Sequence, residues 1–199
     1  MKFDIPKEAI EHFKSVDETL YNYIISSDEP YREINPDYFN ELIRSIVYQQ
    51  VSMKAAGTIY SRLNNLVDLT PEGILNEDRE SLKSVGLSYR KVDYLKNLSQ
   101  HVLDKSLDIE NINSLSNENA IKMIIQVKGL GVWSAEMFLM FALGRLDVSS
   151  YNDLAIKKGI KILYELDDIP TKKEFEKYVQ TWSPFNTIAH FYLWQASII

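Results

Sequence analysis

Apolar residues recur along the chain at intervals of three and four, with polar residues between them. Five of them early in the chain share the spacing of one face of an amphipathic helix: Phe39, Leu42, Ile43, Ile46 and Val47. Two late segments, 132–143 and 188–199, are apolar on nearly every side, which is typical of helices buried between others. Strand-like alternation is scarce. The pattern predicts an all-α protein of about ten helices joined by short loops.

Local signals also predict where helices begin and end. Three dipeptides place a capping residue before a proline, a typical helix start: Asn35-Pro36, Thr70-Pro71 and Ser183-Pro184. Thr171 and Glu174 have the spacing of a capping box. Four glycines follow or interrupt periodic segments and predict helix ends or tight turns: Gly86, Gly129, Gly144 and Gly159.

A glycine-rich turn at residues 128–131 separates an amphipathic segment, 121–127, from the first of the two apolar segments. Gly129 and Gly131 allow a sharp turn with positive φ, and Leu130 would anchor that turn to the core. The turn leads into a helix N-terminus, where backbone N–H groups and the helix dipole favour an anion such as a DNA phosphate. A purely structural turn would explain the same residues equally well.

Asp153 follows this turn and the apolar segment, and it stands directly before a predicted helix over 154–163. Taken alone, Asn152 or Asp153 would simply cap that helix. The order of glycine turn, buried helix, loop and then Asp at a helix start favours a functional role for the carboxylate.

Charge and composition narrow the possible functions. The net charge of −6 argues against nucleic-acid binding, because non-specific affinity comes mostly from Lys and Arg. Phosphate binding by backbone N–H groups needs fewer basic side chains. Four basic residues nevertheless lie near the predicted turns: Lys54, Arg90, Lys91 and Lys128. The absence of cysteine excludes disulfides, thiolate nucleophiles and a cysteine-held iron–sulfur cluster. Three widely separated histidines argue against zinc, and no apolar run reaches membrane-spanning length.

These features together resemble the helix-hairpin-helix superfamily of DNA glycosylases, and more closely its 3-methyladenine DNA glycosylase II branch. Four stretches carry the resemblance: SIVYQQVSMKAAGTIYSRL (45–63), VGLSYRKVDYL (85–95), VKGLGVWSAEMFLMFALGRLDVSSYNDLAIKKGI (127–160) and WSPFNTIAHFYLWQ (182–195). The resemblance implies one domain, 1–199, with two helical lobes, a helix-hairpin-helix motif and an active-site cleft. One lobe would span about 36–148, and the other about 1–35 plus 149–199.

The resemblance also implies roles for individual residues. Asp153 takes the position of the catalytic carboxylate. Trp133 stands where glycosylase/lyase relatives carry a Schiff-base lysine, which implies hydrolysis without a lyase step. Gln50 lies in the loop that fills the gap left by the extruded nucleotide. The hairpin residues would hold a DNA phosphate, with a monovalent or divalent cation as a possible companion at Gly129 and Gly131: Lys128, Gly129, Leu130, Gly131 and Val132.

The implied reaction is the excision of alkylated purines, of the 3-methyladenine and 7-methylguanine type, from double-stranded DNA in base excision repair. Trp133, Tyr151 and Tyr48 are candidate walls for a cationic base, with core packing as their alternative role. Ser149-Ser150 and Asn152 depart from the residues usual in relatives, which affects the predicted pocket shape. Three alternatives stay open: a non-enzymatic DNA-binding module, the same scaffold acting on a deaminated or oxidised base, and an all-α protein whose turns only mimic the motif. We further expect a monomer that needs no cofactor and works with the chromosome, in the cytoplasm or in a nucleus.

Overall fold

The structure is a computed structural model that describes residues 1–198. In that range the chain forms twelve α-helices, a 3-10 turn at Ile112–Ser114 and no β-strand, which confirms the all-α prediction. The helices are α1 (Lys7–Val16), α2 (Glu18–Ser26), α3 (Tyr38–Tyr48), α4 (Met53–Leu66), α5 (Pro71–Asn76), α6 (Arg79–Ser84), α7 (Tyr89–Leu103), α8 (Asn117–Ile124), α9 (Val132–Phe141), α10 (Leu154–Leu163), α11 (Lys172–Trp182) and α12 (Asn186–Ala196). The predicted helix over 188–199 corresponds to α12, and Ile199 lies outside the described residues.

The helices group into two compact units. The hairpin unit comprises residues 35–143, and the terminal unit comprises residues 1–34 and the chain from Gly144 onward. The predicted lobes have nearly the same boundaries. That they make up a single domain, and that a cleft is present, stay predictions.

The hairpin unit is built around two helices with large buried faces. The apolar face of α3 is buried as its spacing predicted, and α9 is buried without a break from Ser134 to Met140. Because α9 has no polar face beyond its first turn, α3 and α8 pack against it. This packing fixes the N-terminus of α9, where the predicted hairpin ends.

In the terminal unit, α10 packs along the buried helix α12. Gly159 lies in the middle of α10, where an added Cβ would overlap the carbonyl oxygen of Leu193 on α12. The prediction that Gly159 ends a helix or makes a turn is therefore wrong, since this glycine serves close helix packing instead. Asp17 joins the N-terminal helices to this core, because its Oδ2 accepts hydrogen bonds from Tyr164 Oη at 2.6 Å and Trp182 Nε1 at 2.8 Å.

Two of the predicted helix starts also need correction. Helix α3 begins at Tyr38 rather than after Asn35-Pro36, because the cap is Asp37, whose Oδ1 accepts from Asn40 N at 3.0 Å. Ser183 ends α11 instead of starting a helix, and α12 begins at Asn186. The other start signals are confirmed, namely the Thr70 cap with Pro71 and the capping box of Thr171 and Glu174. Gly86, Gly129 and Gly144 have positive φ, in agreement with the helix ends or tight turns predicted there.

Candidate active site

The glycine turn between α8 and α9 has the predicted positive φ at Gly129 but not at Gly131, whose φ of −105° is extended backbone that any residue can adopt. Gly129 has a φ of +107°, and Leu130 is only 5% exposed, so its side chain anchors the turn in the core. Gly131 occupies the N-cap position of α9 and provides no capping side chain. Gly131, Val132 and Trp133 are exposed. The first turn of α9 thus lies at the surface with a backbone suited to an anion, as the phosphate-binding hypothesis requires.

Two contacts fix the turn from the side of α3 and α7. The ring of Tyr94 on α7 lies against Gly129 so closely that an added Cβ would overlap it. The Gly129 carbonyl oxygen accepts a hydrogen bond from Gln49 Nε2 at 2.8 Å. Neither contact was predicted. Gln49 is 80 residues from its partner in the chain, and no local pattern marks such a pair.

Gln50 lies in the loop between α3 and α4, residues 49–52, which we call the Gln50 loop. It is exposed and has a φ of +56°, a left-handed conformation that is unusual for a residue with a side chain. Arg90 Nη2 lies 3.5 Å from Gln50 Oε1. Lys91, grouped above with the basic residues near the turns, donates from Nζ to the carbonyl oxygens of Val47 and Gln49, both at 2.7 Å. Its ammonium is therefore engaged within the protein.

Asp153 is the N-cap of α10 in the terminal unit. Its Oδ1 accepts hydrogen bonds from Ala155 N at 2.9 Å and Ile156 N at 3.1 Å, so the capping role weighed above is confirmed. Asp78 caps α6 through the same two backbone positions, with both bonds at 2.9 Å. The two caps differ in their surroundings, because Asp78 is exposed while Asp153 is only 9% exposed. Capping does not require burial, so the surroundings of Asp153 need a further explanation.

The segment before Asp153 is fixed to the start of α12. Asp147 accepts hydrogen bonds from Ser183 Oγ at 2.8 Å and from the side chain of Asn186. Thr187 Oγ1 donates to Arg145 O at 2.7 Å and accepts from Val148 N at 3.1 Å. These bonds hold the loop that carries Asp153 to a buried helix. The carboxylate is therefore presented by a braced segment rather than by a loose one.

The comparisons with known proteins agree with this arrangement. Residues 43–185 match the model of the HhH-GPD superfamily of base excision DNA repair proteins, a range that contains both the hairpin and Asp153. The chain belongs to this superfamily. The resemblance deduced from the four sequence stretches is thereby confirmed.

Three relatives of this HhH-GPD protein are matched over most of their own length. The DNA-3-methyladenine glycosylase 1 of Schizosaccharomyces pombe is 36% identical over 94% of this chain and 85% of its own. A solved complex of S. pombe 3-methyladenine DNA glycosylase with abasic DNA has a TM-score of 0.84 and 34% identity, covering 96% of this chain and 97% of that one. A DNA-3-methyladenine glycosidase from Bacillus halodurans has a TM-score of 0.86 and 34% identity, covering 99% and 91%.

The predicted base-binding aromatics of this HhH-GPD chain lie in different surroundings. Trp133, on the first turn of α9, is 40% exposed. Tyr48 belongs to the same unit and has the Arg44 guanidinium over its ring at 5.2 Å. Tyr151 belongs to the terminal unit, where the Lys157 ammonium lies 4.5 Å from its ring centroid. Both tyrosines are less exposed than Trp133 and have a side-chain cation near the ring. A base-binding role for the three residues stays a prediction.

The carbonyl oxygens of the hairpin glycines, where a cation was predicted, each accept one hydrogen bond. The Gly129 carbonyl oxygen accepts from Gln49, and the Gly131 carbonyl oxygen accepts from Ala135 N at 3.0 Å. Each carbonyl keeps a second lone pair that could contact a cation, so the cation at Gly129 and Gly131 stays a prediction. Among the described residues there is also no group of three or more His, Asp or Glu side chains that could hold a metal. No helix in the described part of the chain is long and apolar enough to span a membrane.

Proposed function

We propose that this protein is a DNA-3-methyladenine glycosylase that excises alkylated purines from double-stranded DNA in base excision repair. The burial of Asp153 is the observation that carries this proposal, because an exposed carboxylate such as Asp78 performs the same capping with no burial. Similarity to the S. pombe and B. halodurans proteins, named for 3-methyladenine, supports the substrate class.

The target base must first leave the duplex, because its glycosidic bond is inaccessible within the stack. The backbone of the hairpin, Lys128 to Val132, would bind a DNA phosphate. Gln50 would fill the gap that the extruded nucleotide leaves in the DNA duplex. Phosphate binding of this kind uses backbone N–H groups and the dipole of α9 rather than charged side chains. It accounts for DNA binding by a chain whose net charge is −6.

Chemistry at the extruded nucleotide follows from its charge. Alkylation at N3 or N7 makes the purine cationic, so the base is already a good leaving group and is attracted to aromatic faces by about 0.5–2 kcal/mol each. Trp133 is the principal candidate for that contact, with Tyr48 and Tyr151 as further walls. As the bond breaks, positive charge develops on the sugar, and the Asp153 carboxylate would stabilise it and orient the attacking water.

The magnitude of this electrostatic effect is sufficient for catalysis. Two opposite unit charges about 4 Å apart interact by roughly 4 kcal/mol at an effective dielectric constant near 20. Such a difference in barrier corresponds to about a thousandfold in rate. Two backbone hydrogen bonds hold the Asp153 carboxylate in place, so little of this energy is lost in ordering it.

The product would be an abasic site in an intact strand. A lyase step needs an amine that forms a Schiff base with the sugar, and Trp133 occupies the corresponding position. The hydrolysis requires no cofactor, and none of its steps passes through a cation at Gly129 or Gly131. We further propose that the enzyme acts as a monomer on chromosomal DNA.

The test compares two substitutions of the same kind. Asp153→Asn keeps the shape and the capping oxygen but removes the charge, so we expect base release from alkylated DNA to fall about a thousandfold. Binding to abasic DNA should remain within a few-fold of the native value. Asp78→Asn makes the same change at the matching cap of α6 and should leave base release unaffected.

Base release would be measured as free 3-methyladenine and 7-methylguanine from methylated DNA under single-turnover conditions. An Asp153→Asn protein that releases these bases at the native rate would overturn the catalytic assignment and favour a non-enzymatic DNA-binding module. Release of only deaminated or oxidised bases from defined duplexes would overturn the substrate class. Borohydride trapping of a covalent protein–DNA adduct would contradict hydrolysis without a lyase step.

A further inference from the structure

The Gln50 loop is attached to the rest of the hairpin unit at two points. On one side, the Lys91 ammonium binds the carbonyl oxygens of Val47 and Gln49 at the C-terminal end of α3. On the other side, the Gln49 side chain binds the carbonyl oxygen of Gly129 in the hairpin. Gln50 therefore directly follows a residue, Gln49, that is fixed both through its carbonyl oxygen and through its side chain.

The left-handed backbone of Gln50 requires such support. A residue with a side chain pays about 1 kcal/mol or more to remain at positive φ, and it does so only where its surroundings hold it there. Lys91 satisfies carbonyl groups at the helix end, and its positive charge also interacts favourably with the negative end of the α3 dipole. The exposed Gln50 side chain is thus projected from a backbone that is fixed before any DNA is bound.

Helix α7 connects this loop to the hairpin. Lys91 and Tyr94 are one turn apart on the same side of α7, with Lys91 bound to the loop and the Tyr94 ring packed on Gly129. Arg90, its neighbour in sequence, instead lies at the surface near Gln50. The adjacent pair of basic residues therefore has two different environments, one internal and one facing solvent.

We infer that Lys91 is a positioning residue, which holds Gln50 at a fixed distance from the phosphate-binding hairpin so that Gln50 enters the gap left by the extruded nucleotide. This inference rests on the proposed function. Burial, and to a lesser degree the neighbouring Arg90, lower the pKa of Lys91, in keeping with an ammonium that is partly withdrawn from solvent. Lys91 acts on base release through Gln50 and makes no contact with a phosphate.

The test uses Lys91→Met, which keeps most of the apolar stem and removes all three N–H donors. With a 7-methylguanine paired to cytosine, we expect single-turnover base release to slow by about tenfold or more, because a misplaced Gln50 no longer supports extrusion. With the same lesion opposite an abasic-site analogue the base is already unpaired, and the loss should shrink to within about threefold. Adding Lys91→Met to Gln50→Ala should cause little further loss, since the two act as one unit.

Lys54→Met is the matched control, because Lys54 is exposed on the first turn of α4, next to the Gln50 loop. If Lys54 contacts a phosphate, its loss weakens all DNA binding and reduces the salt dependence of log K by about one. Lys91→Met should leave that salt dependence unchanged. Gln49→Met cuts the second attachment without changing charge, and it should show the same dependence on base pairing even if Lys91→Met does not fold.

Three results would overturn the inference. They are native rates for Lys91→Met and Gln49→Met on the paired lesion, equal losses on paired and unpaired lesions, or a reduced salt dependence for Lys91→Met. Failure of the native protein to release 7-methylguanine would instead contradict the proposed function. Failure of the inference and failure of the proposed function can be told apart. The inference is tested by the ratio of each variant's rate to the native rate, and this ratio exists only if the native protein releases the base.

Discussion

The burial of His190 leads to a prediction of how the stability of this protein depends on pH. Its imidazole is fully buried on α12, and within residues 1–198 neither ring nitrogen has a hydrogen-bond partner. Three aromatic rings surround it: Phe175, Trp182 and Trp194. Burial lowers the pKa of His190 from 6.5 to about 3, and the charges of Asp153 and Asp147 offset only part of this shift. The native state therefore holds a neutral imidazole at neutral and mildly acidic pH.

The size of the effect follows from the two pKa values. In the unfolded chain the imidazole has a pKa near 6.5, so it gains a proton as the pH falls from 7 to 5, while the native imidazole does not. Because only the unfolded state binds this proton, the free energy of unfolding falls as the pH decreases. The two values give a loss of about 2 kcal/mol between pH 7 and pH 5. The loss stops growing near pH 3, where the native imidazole also titrates.

The assay is urea denaturation of the native protein and His190→Leu at pH 7 and pH 5. The substitution also changes packing, but that change is similar at both pH values and cancels from the difference. We expect the native protein to lose about 2 kcal/mol more than His190→Leu between the two pH values. Equal pH dependence of the native protein and His190→Leu would refute the reasoning.

Two further predictions concern packing and capping in the same unit. Gly159→Ala should lower the free energy of unfolding by about 1–3 kcal/mol and slow base release, because the added methyl group separates α10 from α12. Gly57→Ala within α4 meets no such obstacle and should add up to about 1 kcal/mol, so a similar response at both sites would contradict the packing argument. Asp17→Ala should cost about 2–4 kcal/mol in urea denaturation, because it removes a helix cap and the acceptor for Tyr164 and Trp182. A loss below about 1 kcal/mol would show that water replaces the carboxylate.

Features that depend on neighbours in sequence could be predicted, and those that depend on distant contacts could not. The buried face of α3, the cap at Thr70 and the positive φ of Gly129 all follow from local spacing and residue type. The role of Gly159 could not be predicted, because the sequence around a glycine that lets two helices pack closely looks like the sequence around a glycine that ends a helix. The hydrogen bond from Gln49 to the hairpin could not be predicted either, because its partner lies 80 residues away in the chain.

The exposure of the basic residues could be predicted only in part. Sequence position placed Lys91 and Arg90 together near the predicted turns, but it could not tell which of two neighbours on a helix points inward. In the structure Lys91 binds carbonyl oxygens and Arg90 is exposed. The number of lysines and arginines near a turn thus overstates the charge that is available to DNA.

The capping bond of Asp153 has a consequence for how this family can diverge. Asparagine caps helices about as well as aspartate, so a lineage that acquires the substitution Asp153→Asn would keep its fold while losing the carboxylate. Codons for the two residue types differ by a single transition. If Asp153 is the catalytic carboxylate that we propose, a damage-binding protein without hydrolytic activity is one mutational step from the enzyme, and selection on the stability of α10 would not prevent that step.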